Sequence, residues 1–375
     1  MTIGIGEARM MRLSSVVLVM VGLLTGCASV IERKMTTDVY NVRGMQEITE
    51  RFAENQGRYC NQDGCAHFLD LTGELPLENF SWRLNLSFRE GDRDIDISEE
   101  GRFEFPPETD ADKPLVIIFP GYGTSSMSGA APLGMHFRAL GYPVLVNAGP
   151  TEHPPFEFGL HGLSALVEYI AREFPERPVI TAGVSMGALA VTEFNRIQSE
   201  SGHDVRGTIL VAPMLDFESA AKAMFSEIRD DRWIMRGVPQ RSFDTALQRV
   251  LDRSPVERHE LRLENRIRYL PENSLILLSN SDSIVPYQEV LNLFEPLSDL
   301  EFSEYEGAQQ QMLEAQYLTP QNIKLQLYYR YPHVLMAMST EEQRIRISQW
   351  LGEPIDHEGI RRTPESSEDI GEGVH

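Results

Sequence analysis

Ser185, Asp282 and His333 are the residues of this chain whose types and order suit nucleophilic catalysis. A serine hydroxyl is a poor nucleophile at neutral pH, so a base has to take its proton as it attacks. A histidine does this when a carboxylate holds its imidazole in the right tautomer and stabilises the imidazolium. The three residues therefore predict acyl transfer through a serine nucleophile, which is the chemistry of a serine hydrolase.

Ser185 stands at the centre of Gly183-Val-Ser-Met-Gly187. The Gly-x-Ser-x-Gly pattern alone is weak evidence, because it occurs by chance in roughly one chain in ten of this length. Here a buried-strand pattern (178–183) precedes the motif and helix-forming residues follow it, as a nucleophile elbow requires. An ordinary turn serine is the alternative. We therefore predict that Ser185 is the nucleophile and that the Met186 N–H points at the reacting oxygen.

A second oxyanion donor is expected from the loop Pro120-Gly-Tyr-Gly123. The loop follows residues 114–119, a continuous apolar run typical of a strand buried on both faces. Its glycines let the backbone bend close to a ligand, so the Tyr122 N–H is predicted to lie opposite Met186. Two such donors stabilise the tetrahedral oxyanion, and loss of one typically costs about 3–4 kcal/mol of barrier.

The catalytic acid has two candidates. Asp282 follows a predicted buried strand (274–279), and Asp216 follows another (207–212). Asp282 has an alternative role as the cap of a helix beginning near Pro286. Asp216 is followed by a run that reads as a helix, which its side chain would cap at the amino end. We favour Asp282 as the acid.

The base is predicted to be His333, which follows the last predicted strand (324–330). His153 and His161 precede Ser185, which is the wrong chain order for the fold described below. Other histidines lie in the predicted cap or in the polar carboxyl-terminal tail: His259, His357 and His375.

The order Ser185, Asp282, His333 resembles that of the α/β-hydrolase family, over roughly residues 82–351. The family's acid often lies in Gly-x-x-Asp-x-x-Val-Pro; Asp282 and the Val-Pro pair match, whereas Ser279 replaces the glycine. Its oxyanion loop commonly reads His-Gly-x-Gly, and here Pro120 replaces the histidine. The resemblance implies an α/β fold with a mostly parallel sheet flanked by helices, and an acyl-enzyme mechanism without a cofactor. No Cys/His pair at ligand spacing argues for a metal.

Strand and helix patterns alternate between residues 114 and 212, which predicts a mostly parallel sheet covered on both sides. After Asp216 this alternation breaks, and helices at 217–228, 243–251 and 256–269 would form a cap insertion (about 216–271). The cap carries several large apolar residues, which either line an acyl pocket or pack the cap on the core: Met224, Phe225, Trp233, Ile234 and Met235. Both interpretations stay open.

The hydrolase domain is expected to span 67–352. Residues 80–88 alternate with period two, as a half-buried antiparallel strand does, and a partner strand is expected near 94–97. Residues 301–317 are an extra piece before the last strand. Ser339-Thr-Glu-Glu342 resembles a capping box that opens a final helix ending at Leu351. Residues 353–375 are acidic and polar and predict a disordered tail.

Residues 1–26 are typical of a bacterial lipoprotein signal peptide. Arg9 and Arg12 precede an apolar run (13–24) that is too short to span a bilayer. The run ends in Leu-Thr-Gly-Cys27, which resembles a lipobox. The resemblance implies cleavage before Cys27 and attachment of lipid to it, and several acyl chains on one residue suffice for stable anchoring. A plain secretory signal followed by a chance cysteine is the alternative.

Cys60 and Cys65 enclose the turn-forming residues Asn-Gln-Asp-Gly. In an oxidising cell envelope this spacing favours a small disulfide loop over a metal pair or two free thiols. Residues 27–66 are therefore expected to form a lipidated tether that contains this loop and one helix near 45–54.

The chain has a formal net charge of −22, which argues against nucleic-acid partners and against adsorption on anionic headgroups. Membrane attachment would then come from the lipid on Cys27, and Ala28 after the cysteine favours the outer membrane over inner-membrane retention. The sequence as a whole predicts a hydrolase of carboxylic esters that is anchored by lipid in the cell envelope. Its expected substrates are acyl or lipid esters. A peptidase or amidase of the same fold, or an inactive binding lipoprotein, are the alternatives.

Overall fold

The structure is a computed structural model of the 375-residue chain. It describes residues 27–39, 45–90, 93–231, 233–294, 300–306, 311–317, 323–328 and 331–353. The predicted signal peptide (1–26) and residues 354–375 of the predicted tail lie outside these ranges. Within them, no helix is both long and apolar enough to cross a bilayer.

The strands, in chain order, are β1 (Gln56–Cys60), β2 (Cys65–Asp70), β3 (Asn79–Glu90), β4 (Arg93–Glu104), β5 (Leu115–Phe119), β6 (Val144–Asn147), β7 (Val179–Val184), β8 (Val205–Val211), β9 (Ser274–Ser279), β10 (Leu300–Glu306), β11 (Gln311–Tyr317) and β12 (Ile323–Tyr328). The helices are α1 (Cys27–Thr37), α2 (Met45–Arg51), α3 (Ser126–Gly129), α4 (Met135–Ala139), α5 (Leu163–Glu173), α6 (Gly187–Glu200), α7 (Phe217–Asp231), α8 (Gln240–Arg253), α9 (Tyr287–Asn292), α10 (His333–Met336) and α11 (Glu341–Leu351).

Ten of these strands form one sheet in the order β1-β2-β6-β5-β7-β8-β9-β12-β11-β10. The six central strands, from β6 to β12, are parallel to one another, and the two strands beyond each end of this set (β2 and β1, β11 and β10) pair antiparallel. The central strands β5, β6, β7 and β9 are buried along their whole length. This is the mostly parallel sheet that the sequence predicts, with the α/β-hydrolase order of strands and helices.

Apolar cores lie on both faces of the sheet because successive strand residues point to opposite sides. Val116 and Ile118 of β5 contribute to one core, and Leu115 and Ile117 contribute to the other. Helices α5, α6 and α9 cover the second face, where Leu166, Phe194 and Val290 reach the core, and α4 and α11 cover the first. Helices on both faces leave the carboxyl ends of the parallel strands as the open edge where loops can form a site.

The disulfide hairpin belongs to the sheet and not to a flexible tether. Cys60 and Cys65 are disulfide-bonded and directly opposed in the β1–β2 register, and β2 pairs with β6. Phe68 and Leu69 of β2 are buried. The expectation of a tether over 27–66 was therefore wrong for this part, because β2 carries core side chains that fix the hairpin on the edge of the sheet.

Helix α1 also occupies a segment that we expected to be tether. It packs mainly against α8, and its Met35 is buried. The apolar positions of α1 recur at helical spacing, with Ala28, Ile31 and Met35 on the buried face. The helix begins at the last residue of the lipobox-like segment. The second predicted helix, near 45–54, is present but shorter, as α2 and a 3₁₀ turn at Ala53–Asn55.

The predicted cap lies between β8 and β9. Two of its helices are present as α7 and α8, but the third is replaced by 3₁₀ turns at Arg258–Leu261, Leu263–Asn265 and Ile267–Tyr269. The reason is tertiary pairing. The Leu263 N–H donates to the Leu215 carbonyl (2.8 Å), and Arg262 forms an isolated bridge with Asp216. Backbone groups that an α-helix would pair internally thus bond to the segment after β8.

The remaining predicted elements are present with shifted bounds. The antiparallel hairpin β3–β4 forms a separate two-stranded sheet, and the extra piece is the hairpin β10–β11. The final helix ends at Leu351 as predicted, but its amino-terminal cap is Thr340, whose N–H donates to Gln343 Oε1 (2.8 Å). Glu342 does not take the expected role because it accepts the Tyr331 hydroxyl (2.6 Å).

Candidate active site

The three predicted catalytic residues follow three strands of the parallel sheet at the same edge. Ser185 follows β7, Asp282 lies three residues after β9, and His333 begins α10 beyond β12. The strands β7, β8, β9 and β12 are consecutive neighbours in the sheet. Since the carboxyl ends of parallel strands meet at one edge, residues far apart in the sequence converge there.

Ser185 occupies a backbone conformation that side chains rarely adopt, with φ of 51°. The turn is possible because its glycines sit where no side chain fits. A Cβ on Gly183 would lie 2.7 Å from Val191 Cγ2 and 2.8 Å from the Gly187 carbonyl oxygen, and a Cβ on Gly187 would collide with the Phe119 carbonyl. Such a strained residue, held by its surroundings, is the geometry of a nucleophile elbow.

Met186 lies at the amino end of α6, immediately after the serine. No acceptor within the described ranges takes its N–H, which is one of the orphan donors of a helix amino terminus. The second loop approaches from β5: a Cβ on Gly121 would lie 3.3 Å from Ser185 Cβ. The Thr124 hydroxyl donates to the Gly121 carbonyl (2.7 Å) and fixes this turn. Met186 and Tyr122 thus flank the serine from two different strands.

Hydrogen bonds connect the three predicted catalytic side chains in series. His333 Nε2 lies 2.9 Å from Ser185 Oγ, and His333 Nδ1 lies 2.7 Å from Asp282 Oδ2. The Asp282 side chain is 1% exposed, whereas the imidazole is 15% exposed. A proton on Nδ1 donates to the carboxylate and leaves Nε2 as the acceptor for the serine hydroxyl.

The carboxylate of Asp282 also accepts hydrogen bonds at the start of the segment that leads into α9, where its alternative interpretation as a helix cap placed it. Its Oδ1 accepts the N–H groups of Ile284 (3.0 Å) and Val285 (2.8 Å), so the turn before α9 holds the group in place. Asp216, the rival acid, instead accepts the Ser219 N–H with Oδ1 (2.8 Å) and caps α7. The structure brings Asp282, and not Asp216, to the imidazole.

Four other histidines of the described ranges have contacts with residues other than the catalytic ones. His67 and His153 stack on each other with ring centroids 4.1 Å apart, and His161 contacts Glu157 (3.3 Å). Burial lowers the pKa of His136 to about 3, and Ser348 contacts its ring (3.2 Å). No group of three His, Cys, Asp or Glu side chains in the described ranges is arranged to hold a metal ion.

Glu152 joins the oxyanion loop to the loop after β6, a role that the sequence did not reveal. Its Oε2 accepts the N–H groups of Ser126 (2.6 Å) and Gly149 (2.9 Å), and its Oε1 accepts the Ser126 hydroxyl (3.1 Å). Gly149 is required there because a Cβ would collide with the Thr124 carbonyl. The carboxylate therefore positions the backbone that carries Tyr122.

A second carboxylate approaches the base from the cap. Glu227 of α7 accepts a hydrogen bond from the Ser283 hydroxyl, next to Asp282. Part of its side chain is exposed, yet partial burial and then repulsion by Asp282 raise the pKa of Glu227, while attraction to His333 acts in the opposite direction. Its position was not evident from the sequence because it depends on how α7 folds back over the sheet.

An apolar cluster adjoins the two candidate oxyanion donors. We call it the site cluster: Met35, Tyr122, Phe156, Phe158, Met186, Met214 and Phe217. Its rings pack edge to face, with centroids 4.8 Å apart for Phe156–Phe158 and 4.7 Å for Phe158–Phe217. Among the cap residues whose role was open, Phe225 stacks on Phe243 at 4.1 Å and is buried, which is packing of the cap. The side chains of Trp233 and Ile234 lie outside the described residues.

Residues 111–269 match the family model described as serine aminopeptidase, S33. The matched segment contains Ser185 and both candidate oxyanion donors, and it ends before Asp282 and His333. No curated protein matches the sequence.

Several solved structures resemble the chain at low identity. An esterase from Pyrococcus furiosus is 15% identical, with 72% of this chain and 89% of that chain covered and a TM-score of 0.45. An α/β hydrolase from Vibrio vulnificus is 12% identical, with coverage of 86% and 93% and a TM-score of 0.48. Naproxen esterase from Bacillus subtilis is 10% identical, with coverage of 83% and 100% and a TM-score of 0.45.

The parallel sheet and the elbow after β7 give the chain the α/β-hydrolase fold. Residues 111–269, which include Ser185 at that elbow, are similar to the serine aminopeptidase, S33, family.

Substitution of the two candidate acids separates their roles. Asp282→Asn should lower kcat by about 10⁴-fold with the fold intact, because the amide would hold the imidazole in the wrong tautomer. Asp216→Asn should leave kcat unchanged, because asparagine caps helices about as well as aspartate. Ester turnover, with circular dichroism as the check on folding, measures both. An active Asp282→Asn together with a folded but inactive Asp216→Asn would assign the acid to Asp216.

Glu227→Gln should lower kcat severalfold, because the Glu227 carboxylate is attracted to the imidazolium that forms on His333 as Ser185 attacks. Ester turnover measures the change. Glu218→Gln is the matched control, since Glu218 lies on the same helix and pairs with Lys222 (2.6 Å). Equal kcat values for the two variants would contradict an influence of Glu227 on the base.

Proposed function

We propose that the protein hydrolyses carboxylic esters through Ser185, His333 and Asp282. The observation that carries the proposal is the unbroken series of hydrogen bonds from a strained serine through an imidazole to a buried carboxylate. His333 Nε2 takes the hydroxyl proton as Ser185 Oγ attacks the ester carbonyl. The Asp282 carboxylate stabilises the resulting imidazolium without becoming protonated.

The Tyr122 and Met186 N–H groups would stabilise the tetrahedral oxyanion that the attack creates. Donors fixed before the reaction need no reorganisation as charge develops, which is why such groups lower barriers efficiently. His333 then gives its proton to the leaving alcohol, the acyl group stays on Ser185 Oγ, and a water activated by the same imidazole releases the acid. Glu152 supports this step indirectly, since it holds the loop that carries Tyr122.

The site cluster favours acyl esters, such as monoacylglycerols, lysophospholipids or short-chain esters. Most of the cluster is buried, but Tyr122 and Phe156 are only partly buried, so an alkyl chain of the acyl group has apolar surface to contact beside Tyr122. A hydrophobic pocket gains about 1–3 kcal/mol for each methylene that it accommodates. We therefore expect the enzyme to prefer an ester with an apolar acyl chain over an ester with a polar acyl group.

We also propose that the mature protein is a lipoprotein of the bacterial envelope, anchored in the outer membrane by lipid on Cys27. The lipobox-like segment supports this, and so does the disulfide between Cys60 and Cys65, which belongs in an oxidising compartment.

A soluble form that begins at residue 28, without the lipidated cysteine, should react with a fluorophosphonate probe at Ser185 and hydrolyse p-nitrophenyl acyl esters, with kcat/KM rising from acetate to longer chains. Ser185→Ala should abolish both signals because it removes the nucleophile. Aminoacyl-p-nitroanilides in the same panel distinguish an amidase. Faster turnover of the anilides would replace ester hydrolysis by peptidase activity, and absence of probe labelling would favour a binding protein.

Cys27→Ala should abolish incorporation of radiolabelled palmitate and release the protein from the membrane fraction. The cysteine thiol is the proposed site of lipid attachment, and a strongly acidic chain has little electrostatic affinity for anionic lipid. Cell fractionation with metabolic labelling measures the change. Ser29→Ala, two residues along, is the control and should stay in the membrane. Wild-type protein in the soluble fraction without fatty acid would contradict the proposal.

A further inference from the structure

Helix α1 starts at Cys27 and is attached to the cap by ionic contacts. Glu32 forms a hydrogen-bonded ion pair with Arg253 and lies 3.9 Å from Arg249. The Glu32 side chain is 12% exposed, whereas Arg253 is 72% and Arg249 44% exposed, so the carboxylate lies against α8 and the guanidinium groups reach solvent. The Arg249 guanidinium also donates to the Ser29 hydroxyl (3.2 Å). The first helix after the proposed lipid site is thus held on α8.

The carboxyl end of the same helix contacts the catalytic machinery. The Tyr122 hydroxyl donates to the Met35 carbonyl (2.9 Å), and the Met35 side chain is buried in the site cluster beside Met186. One residue beyond the helix, the Asp38 carbonyl accepts the Thr151 hydroxyl (2.8 Å). Helix α1 therefore connects the proposed anchor, the cap and the oxyanion loop in one packed unit.

The length of this connection is fixed. An α-helix rises 1.5 Å per residue, so the eleven residues of α1 span about 16 Å. A flexible tether of that many residues would leave the orientation of the enzyme free. A packed helix does not, because it fixes the direction from the lipid-bearing residue to the residues at its carboxyl end.

Charge distinguishes this side of the molecule from the rest. The cap (residues 216–271) has eleven Lys or Arg residues and ten Asp or Glu residues, so its net charge is +1. Helix α1 also has a net charge of +1, from Arg33 and Lys34 against Glu32. The whole chain has a net charge of −22. Arg33 and Lys34 lie on the exposed face of α1. Cations near an anionic leaflet are attracted within a Debye length, whereas the acidic remainder is repelled.

Apolar exposure follows the same pattern. Within the described ranges, the large hydrophobic side chains that are exposed are Val39 (37%) and Val334 (59%). Val39 lies two residues after α1, and Val334 follows His333 directly. Val39 is therefore next to the helix that follows the proposed anchor, and Val334 is next to the candidate base.

We propose that the outer face of α1, together with the cap, lies on the anionic surface of the bilayer that holds the anchor, so that the ester substrate is drawn from that same membrane. The inference rests on the lipid anchor and the ester hydrolysis proposed above. The anchor supplies the attachment, and the charge difference and the rigid helix supply the orientation. The partner is the lipid surface itself.

The first test measures position without catalysis. Single cysteines at Thr37 (exposed, on α1) and Ser201 (exposed, after α6 at the far end of the sheet) are labelled with an environment-sensitive fluorophore in the lipidated protein. The protein is placed in vesicles of phosphatidylcholine and phosphatidylglycerol, about three to one, with brominated acyl chains. Quenching should be at least about threefold stronger at Thr37 than at Ser201. Equal quenching at the two positions would overturn the proposed orientation.

The second test measures transfer of substrate from the membrane. A Gly/Ser linker of about fifteen residues between Cys27 and Ala28 keeps the anchor but frees the orientation. It should lower hydrolysis of methylumbelliferyl oleate in the same vesicle about fivefold and leave soluble p-nitrophenyl butyrate turnover unchanged. An unchanged rate with the vesicle substrate would contradict the inference. If the wild type did not hydrolyse p-nitrophenyl butyrate at all, ester hydrolysis itself would be contradicted. Quenching at Thr37 would still report the orientation in that case.

Charge reversal supplies a matched pair. Arg33→Glu should lower hydrolysis of the vesicle substrate about fivefold in anionic vesicles and leave it unchanged in pure phosphatidylcholine. Arg206→Glu, an exposed arginine at the amino end of β8, is the control and should behave as the wild type in both. Equal effects of the two substitutions would overturn the role of the α1 face.

Discussion

The tight turn at Ser185 is the constraint on which the rest of the site depends. Its positive φ is maintained because β7 and α6 approach so closely that Gly183 and Gly187 have no space for a side chain. Backbone strain of this kind costs about 1–3 kcal/mol, and the close packing of a buried parallel sheet offsets it. The turn lifts the Ser185 hydroxyl to the edge of the sheet where β9 and β12 also end. There His333 lies within hydrogen-bonding distance of Ser185, and Asp282 within hydrogen-bonding distance of His333.

The surroundings of that turn come from four separate segments. The oxyanion loop after β5 is held by Glu152 from the loop after β6, the cap adds Glu227 near the base, and α1 closes the apolar side with Met35. Each of these contacts joins residues far apart in the sequence, so the site is a product of the folded chain and not of one motif. Electrostatic preorganisation depends on such supports, because a donor displaced by even 1 Å loses much of its effect.

The sequence predicted the features that depend on local patterns and on chain order. The strand β9 has the predicted bounds, because a strand buried on both faces is a continuous apolar run. The order of the candidate catalytic residues also follows from the sequence. What it did not reveal depends on distant partners: the third cap helix fails because Leu263 donates to Leu215, and the amino-terminal segment is helical because Met35 and Ile31 find an apolar neighbour in the cap. The position of Glu227 requires the fold of α7 for the same reason.

Gly149 and the Thr124 carbonyl touch so closely that the loops after β5 and β6 cannot vary independently. A longer or bulkier residue in either loop would displace the other, and Glu152, which accepts N–H groups from both, would lose one of its donors. Evolution or engineering of a new acyl preference therefore has to exchange the two loops as a pair. Homologous chains that differ at one of these positions should also differ at its partner, so the two loops are expected to covary.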